Sequence, residues 1–149
     1  MFELMKNFNK NFSAIVNYRI YNIKLKDTKK KDGVASLIRE VFPNADVSIE
    51  QDDRFLIAEN SGTPIGFAHL KEKKKMIMLQ CLGVLSAFRN GGVGSALLAE
   101  TLKICEKKNK PIFLKVKAIN ITAISLYEKY GFSVKKTGDT LILEKKRYN

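Results

Sequence analysis

The sequence predicts an α/β (α+β) fold with elements in the order β-α-β-β-β-α-β-α-β-β, and three observations predict it. Short runs of β-branched and aromatic residues are bounded by turn-forming residues; segments with apolar residues at helical spacing alternate with them; and no internal repeat or low-complexity linker interrupts the series. A length of 149 residues suits one compact domain, and a 45% hydrophobic composition can fill its core.

Phe2, Met5, Phe8, Phe12 and Ile15 recur at steps of three or four. Residues 1–17 therefore read as either a basic amphipathic helix or a floppy extension ahead of a main domain over 18–149. Arg19 to Leu25 alternates as a strand does, and Asp27 or Thr28 can cap a helix whose apolar positions Val34, Leu37, Ile38 and Val41 end before Pro43. Phe55 to Glu59 and Ile65 to Lys71 are β-type runs separated by Asn60-Ser61-Gly62-Thr63-Pro64, and Lys75 to Val84 is a third. Three consecutive antiparallel strands are the simplest arrangement. Gly91-Gly92-Val93-Gly94 then opens a helix with Leu97, Leu98, Thr101, Leu102 and Cys105 on one side, ending near Asn109 before Pro111. Ile112 to Lys117 alternates as a strand, Asn120 to Tyr130 forms a helix closed by Gly131, and Ser133 to Thr137 and Leu141 to Lys145 make a final hairpin turning at Gly138-Asp139.

Composition excludes several classes. The longest apolar stretch, Met76 to Leu85, is interrupted by Gln80 and falls short of the roughly 20 residues that cross a bilayer. Cys81 and Cys105 form no C-x-x-C, and His69 is the lone imidazole, so a Cys/His zinc site lacks ligands. Free thiols in apolar surroundings suit a reducing compartment, and the first residues resemble neither a signal nor a transit peptide, which points to the cytoplasm. There are 27 Lys and Arg against 15 Asp and Glu, a net charge of +12, but the lysines are spread along the chain and Arg is sparse. That pattern fits a solvated surface better than a nucleic-acid interface, and it remains compatible with a polyanionic small ligand.

Arg89-x-x-Gly92-x-Gly94 lies between a strand and a helix, where unpaired amides and the helix dipole favour an anion. Glycine lets a phosphate approach the main chain, and Ser95 and Arg89 add a hydroxyl and a charge. A tight strand-to-helix turn without a ligand would use the same residues. The third glycine of a dinucleotide fingerprint and the Gly-Lys-Ser/Thr of a P-loop are both missing.

One helix and one strand downstream stands Asn120-x-x-Ala123-x-x-Leu126-Tyr127-x-x-x-Gly131-Phe132. Together the two motifs resemble those of the GNAT superfamily of acyl-CoA-dependent N-acyltransferases. The resemblance covers the chain from about Tyr18 onward. It implies a mixed, mostly antiparallel central sheet flanked by helices, and acetyl-CoA as co-substrate with no metal. It also implies that Arg89, Asn90, Gly91, Gly92, Val93, Gly94 and Ser95 hold the pyrophosphate, while Leu82, Gly83 and Val84 pair with pantetheine. By the same likeness Tyr127 is the general acid toward the leaving thiolate and also touches the coenzyme, and Asn120 is a coenzyme-side hydrogen bonder. Tyr127 would equally suit core packing, and Asn120 an N-cap. The expected acceptor is an amine, of a small molecule or a protein, and the expected assembly a monomer or homodimer.

The general base departs from the family pattern. Where relatives carry Glu, this chain has Met78 and Lys115. Proton removal is left to water, Glu59, Glu72 or His69, or to a substrate amine already largely neutral. Cys81 has no evident acid and His grouped with it as a nucleophile would need. Phe113, Lys115 and Lys117 share a strand face; if it looks into the acceptor cleft, Lys115 would favour acceptors carrying a carboxylate or phosphate, or a peptide N-terminus, over polyamines. Ser86 replaces a proline common after the fourth strand. The competing classes are an acyl-CoA-binding regulatory module without turnover and a basic nucleic-acid-associated protein.

Overall fold

The structure, a computed structural model, describes residues 17–24, 28–45 and 48–147. The helix or extension expected over residues 1–17 lies outside the described residues apart from Asn17, as does the cap candidate Asp27. The elements are β1 (Arg19–Lys24), α1 (Thr28–Val41), β2 (Arg54–Asn60), β3 (Thr63–Glu72), β4 (Ile77–Val84), α2 (Val93–Lys108), β5 (Ile112–Lys117), α3 (Ile121–Lys129), β6 (Ser133–Lys136) and β7 (Thr140–Lys145). A short 3₁₀ turn, Ser86–Phe88, follows β4. The element order is the expected one.

The strands form one seven-stranded sheet in the order β1-β2-β3-β4-β5-β7-β6, antiparallel except for β4 with β5. Ser61 and Gly62, with φ of 48° and 84°, turn the β2–β3 hairpin through the left-handed region that matches strand twist. On one face α2 and α3 cover Leu56, Ala68, Leu70 and Leu79 with Leu97, Leu98, Cys105 and Tyr127. On the other face α1 lays Val34, Leu37 and Ile38 over Phe55, Ile57 and Phe67. At roughly 25 cal/mol per Å² of apolar surface removed from water, burial on both faces is what holds the sheet.

Two irregularities shape the centre of the sheet. Leu70 pairs with Leu79 but His69 pairs with Cys81, so Gln80 is an extra residue on β4, a bulge that bends the strand. The parallel β4–β5 pairing lasts only from Ile77↔Ile112 to Leu79↔Leu114. Beyond the bulge the two strands part, while β5 continues along β7 as far as Lys117↔Thr140. The edge of β4 from Gln80 to Val84 is thus left without a β5 partner. Gly83 lets the end of α1 rest on this stretch, because a Cβ there would lie 2.6 Å from Val41 Cγ1 and 2.7 Å from Phe42 Cε2.

Candidate active site

From β4 the chain runs through the 3₁₀ turn into the glycine segment and then into α2. Asn90 and Gly92 take positive φ, 64° and 83°, which turns the backbone sharply enough to start the helix. The first helical hydrogen bond runs from the Ala96 amide to the Gly92 carbonyl at 3.0 Å. The amides of Val93, Gly94 and Ser95 therefore have no intrahelical acceptor. No side chain caps them, and no acidic residue stands in the first turn. Arg89 Nε donates to the Val84 carbonyl at 3.0 Å, which fixes the guanidinium beside the end of β4.

A cavity of about 480 Å³ opens over these amides. Every predicted residue from Leu82 to Ser95 lines it except Gly91, and Asn120 lines it too. A Cβ at Gly92 would meet nothing within 4 Å, so the space in front of that turn is open and glycine is required there by its φ. Open amides, a fixed guanidinium and no carboxylate make an arrangement that suits a diphosphate.

A second cavity, about 540 Å³, fills the gap between β4 and β5, and Phe42, Leu82, Asn120 and Ala123 line both. Tyr127 lines this second cavity. Its ring is buried edge-on to Phe132, with centroids 5.5 Å apart. Burial, reinforced by nearby Cys81, pushes the phenol up to about 12, so it holds its proton at neutral pH. Packing and a place at the cavity wall coexist in one side chain. Asn120 Oδ1 accepts a hydrogen bond from the Ala123 amide at 3.2 Å and caps α3.

Among the described residues no Asp, Glu or His lines either cavity. Glu59 is bound by Arg19 at 3.0 Å on the β1–β2 side of the sheet. Glu72 sits between Lys108 at 3.0 Å and Lys110 at 2.7 Å, and its hydrogen bonds to them hold its carboxyl down to about 2. His69 is buried, stacks on Phe55 with centroids 4.3 Å apart, and lies 2.6 Å from Asp53 Oδ2 through Nε2. Lys71 Nζ reaches the same carboxylate at 2.9 and 3.2 Å. Burial holds His69 below its usual value, against the pull of Asp53. Asp53 is ionised in spite of burial, because the Glu50 amide, His69 and Lys71 hold its carboxyl low. His69 Nε2 therefore donates to Asp53, and Nδ1 is buried without a partner among the described residues.

The Asp53–His69–Lys71 group has no local sequence signal, since Asp53 stands 16 residues from His69 and just before another strand. The cavity-lining Phe42 and Gln80 belong to neither sequence motif. Gln80 reads in sequence only as a break in an apolar run. Cys81 lines the gap, but burial raises its thiol to about 11. Among the described residues no group of three or more His, Cys, Asp or Glu could hold a metal, and no helix is long and apolar enough to cross a membrane.

A model of the acetyltransferase (GNAT) family matches residues 17–132. An N-alpha-acetyltransferase from Sulfurisphaera tokodaii is 27% identical over 136 residues, which span 77% of this chain and 80% of that one. The N-alpha-acetyltransferase 50 of Danio rerio is 35% identical over 68 residues, 44% of this chain and 40% of that relative, so there the likeness spans well under half of the relative's length. The crystal structure of the PaiA N-acetyltransferase from Thermoplasma acidophilum in complex with coenzyme A superposes with a TM-score of 0.70 at 26% identity, covering 87% of this chain and 99% of that one. The chain belongs to the acetyltransferase (GNAT) family.

Proposed function

We propose that the protein moves an acetyl group from acetyl-CoA to a primary amine, that of a protein or peptide N-terminus, a lysine or a small molecule, by direct attack through a tetrahedral intermediate. One observation carries the reading: the cavity over the open amides of α2 adjoins the cavity that Tyr127 lines, so a diphosphate in the first brings a thioester within reach of the phenol. In this reading the open amides of Val93, Gly94 and Ser95 hold the diphosphate beside the Arg89 guanidinium, while Gly91, off the cavity wall, and the Arg89 amide, which donates to the Ser86 carbonyl, take no part. The free edge of β4 pairs with pantetheine as an added strand would, and an N–H near Leu82 to Val84 stabilises the developing oxyanion. The amine forms the C–N bond, the C–S bond breaks, and Tyr127 protonates the departing sulfur.

With no carboxylate or imidazole on either cavity wall among the described residues, the amine loses its proton to water. An α-amine with a pKa of about 8 meets that condition more readily than a lysine near 10.4. The N-alpha-acetyltransferase names of the relatives agree with an α-amine. The same lack of a base supports a second reading, an acyl-CoA-binding regulatory module without turnover. Release of free coenzyme A thiol from acetyl-CoA across a panel of amines separates the two. Turnover of any amine above the hydrolysis background supports the transferase, and binding without turnover supports the module.

A further inference from the structure

We infer that the cavity at the β4–β5 gap takes an acceptor whose primary amine lies within a few bonds of a carboxylate, and that Lys115 and Lys117 recognise that carboxylate. The inference rests on the acetyl-transfer reading and narrows its substrate class.

Residues of β5 alternate, with Ile112, Leu114 and Val116 buried in the core under α2 and α3 and Lys115 and Lys117 exposed on the opposite face. Both lysines nevertheless line the cavity that Tyr127 lines. Neither is joined to a carboxylate among the described residues. The acid nearest in register on that face is Glu144, opposite Phe113, and it is engaged by Lys135 at 3.4 Å. The next strands bring more positive charge, since Lys115 pairs with Ile142 and Ile142 with Lys136. Gln80, the unpaired residue of the β4 bulge, lines the opposite wall with a neutral amide that can both donate and accept.

Among the described residues, the wall that meets the acceptor therefore carries two ammonium groups and no acid. A polyamine would place like charges side by side there, whereas a carboxylate finds two unpaired cations. The shared chemistry has two sources: the α-carboxylate of a free amino acid, or an acidic side chain at the start of a peptide. The carboxylate takes no part in bond making. The amine nitrogen bonds the carbonyl carbon, sulfur leaves with the phenol proton, and solvent returns that proton to Tyr127 while accepting one from the new amide.

The test begins with calorimetric titration of acetyl-CoA into the wild type and into Lys115→Glu/Lys117→Glu, two exposed changes away from the amide cradle. Equal affinities are expected. Then kcat/KM is compared for free glutamate, a peptide beginning with glutamate, the same peptide beginning with glutamine, and spermidine. The wild type should prefer one or both acidic acceptors over the neutral peptide by about tenfold, the effect of two partly exposed ion pairs. The first two acceptors tell the two sources apart. The double variant should lose that preference through KM rather than kcat and gain activity toward spermidine. A wild-type preference for spermidine, or an acidic-to-neutral ratio unmoved by the double variant, overturns the inference and leaves acetyl transfer standing. Acetyl-CoA bound with no acceptor turned over also overturns it. Absence of acetyl-CoA binding removes the function itself.

Discussion

The Tyr127 ring is held by Phe132 and burial pushes its phenol up to about 12, so Tyr127→Phe keeps the ring packing and deletes the hydroxyl that donates the proton. In the proposed reaction turnover falls about 100-fold while acetyl-CoA affinity is kept, as steady-state rates beside calorimetry would read. An unchanged rate would leave the tyrosine with packing alone. Asp53 carries a different burden, because it is the common partner of buried His69 and Lys71. Asp53→Asn should lower stability on the order of 3 kcal/mol in urea unfolding, since among the described residues it leaves the buried Lys71 ammonium with exposed Glu50, at 3.3 Å, as its one carboxylate. At this scale the sequence is half legible. Tyr127 and Arg89 sit in motifs with fixed spacing, whereas the tie between Asp53 and His69 depends on which strands become neighbours.

At the scale of elements, the glycine segment does its work through backbone shape. Gly92 has φ of 83° with open space before it, and Gly94 has only Val84 Cγ2 at 3.7 Å from an added Cβ. Gly92→Val should therefore cost about 1–2 kcal/mol from a strained left-handed residue and weaken acetyl-CoA binding at least tenfold. Gly94→Ala should be milder on both measures. Equal effects would place the requirement elsewhere than in φ. The strands and helices themselves were readable because turn residues and apolar period mark them. The bulge at Gln80 was not, because an extra residue in one strand shows only against its partner's register. That bulge and the early parting of β4 and β5 make the gap that the candidate site occupies.

For the whole molecule, sheet order lies beyond what a linear reading gives. The β6–β7 hairpin is visible in Gly138-Asp139, yet it is β7 that joins β5, with β6 at the edge. Stability should also fall in acid in two stages. His69 is held below its reference value of 6.5, so the unfolded chain binds more protons as pH drops below 6.5 and the fold loses stability there. Asp53 and Glu72 are held low as well, and their contribution, present above their reference values of 3.8 and 4.5, is lost as pH falls further, for Glu72 toward about 2. Because His69 is the chain's lone imidazole, thermal melts between pH 8 and 5 isolate the first stage, and a flat profile there would contradict its buried neutral state.

The most direct measurement is calorimetric titration of acetyl-CoA into the full chain at two salt concentrations. Binding at one site per chain, weakened by added salt and by Gly92→Val, is the predicted result, because main-chain amides and Arg89 grip a diphosphate. No heat at any concentration, or binding indifferent to that glycine, would contradict it.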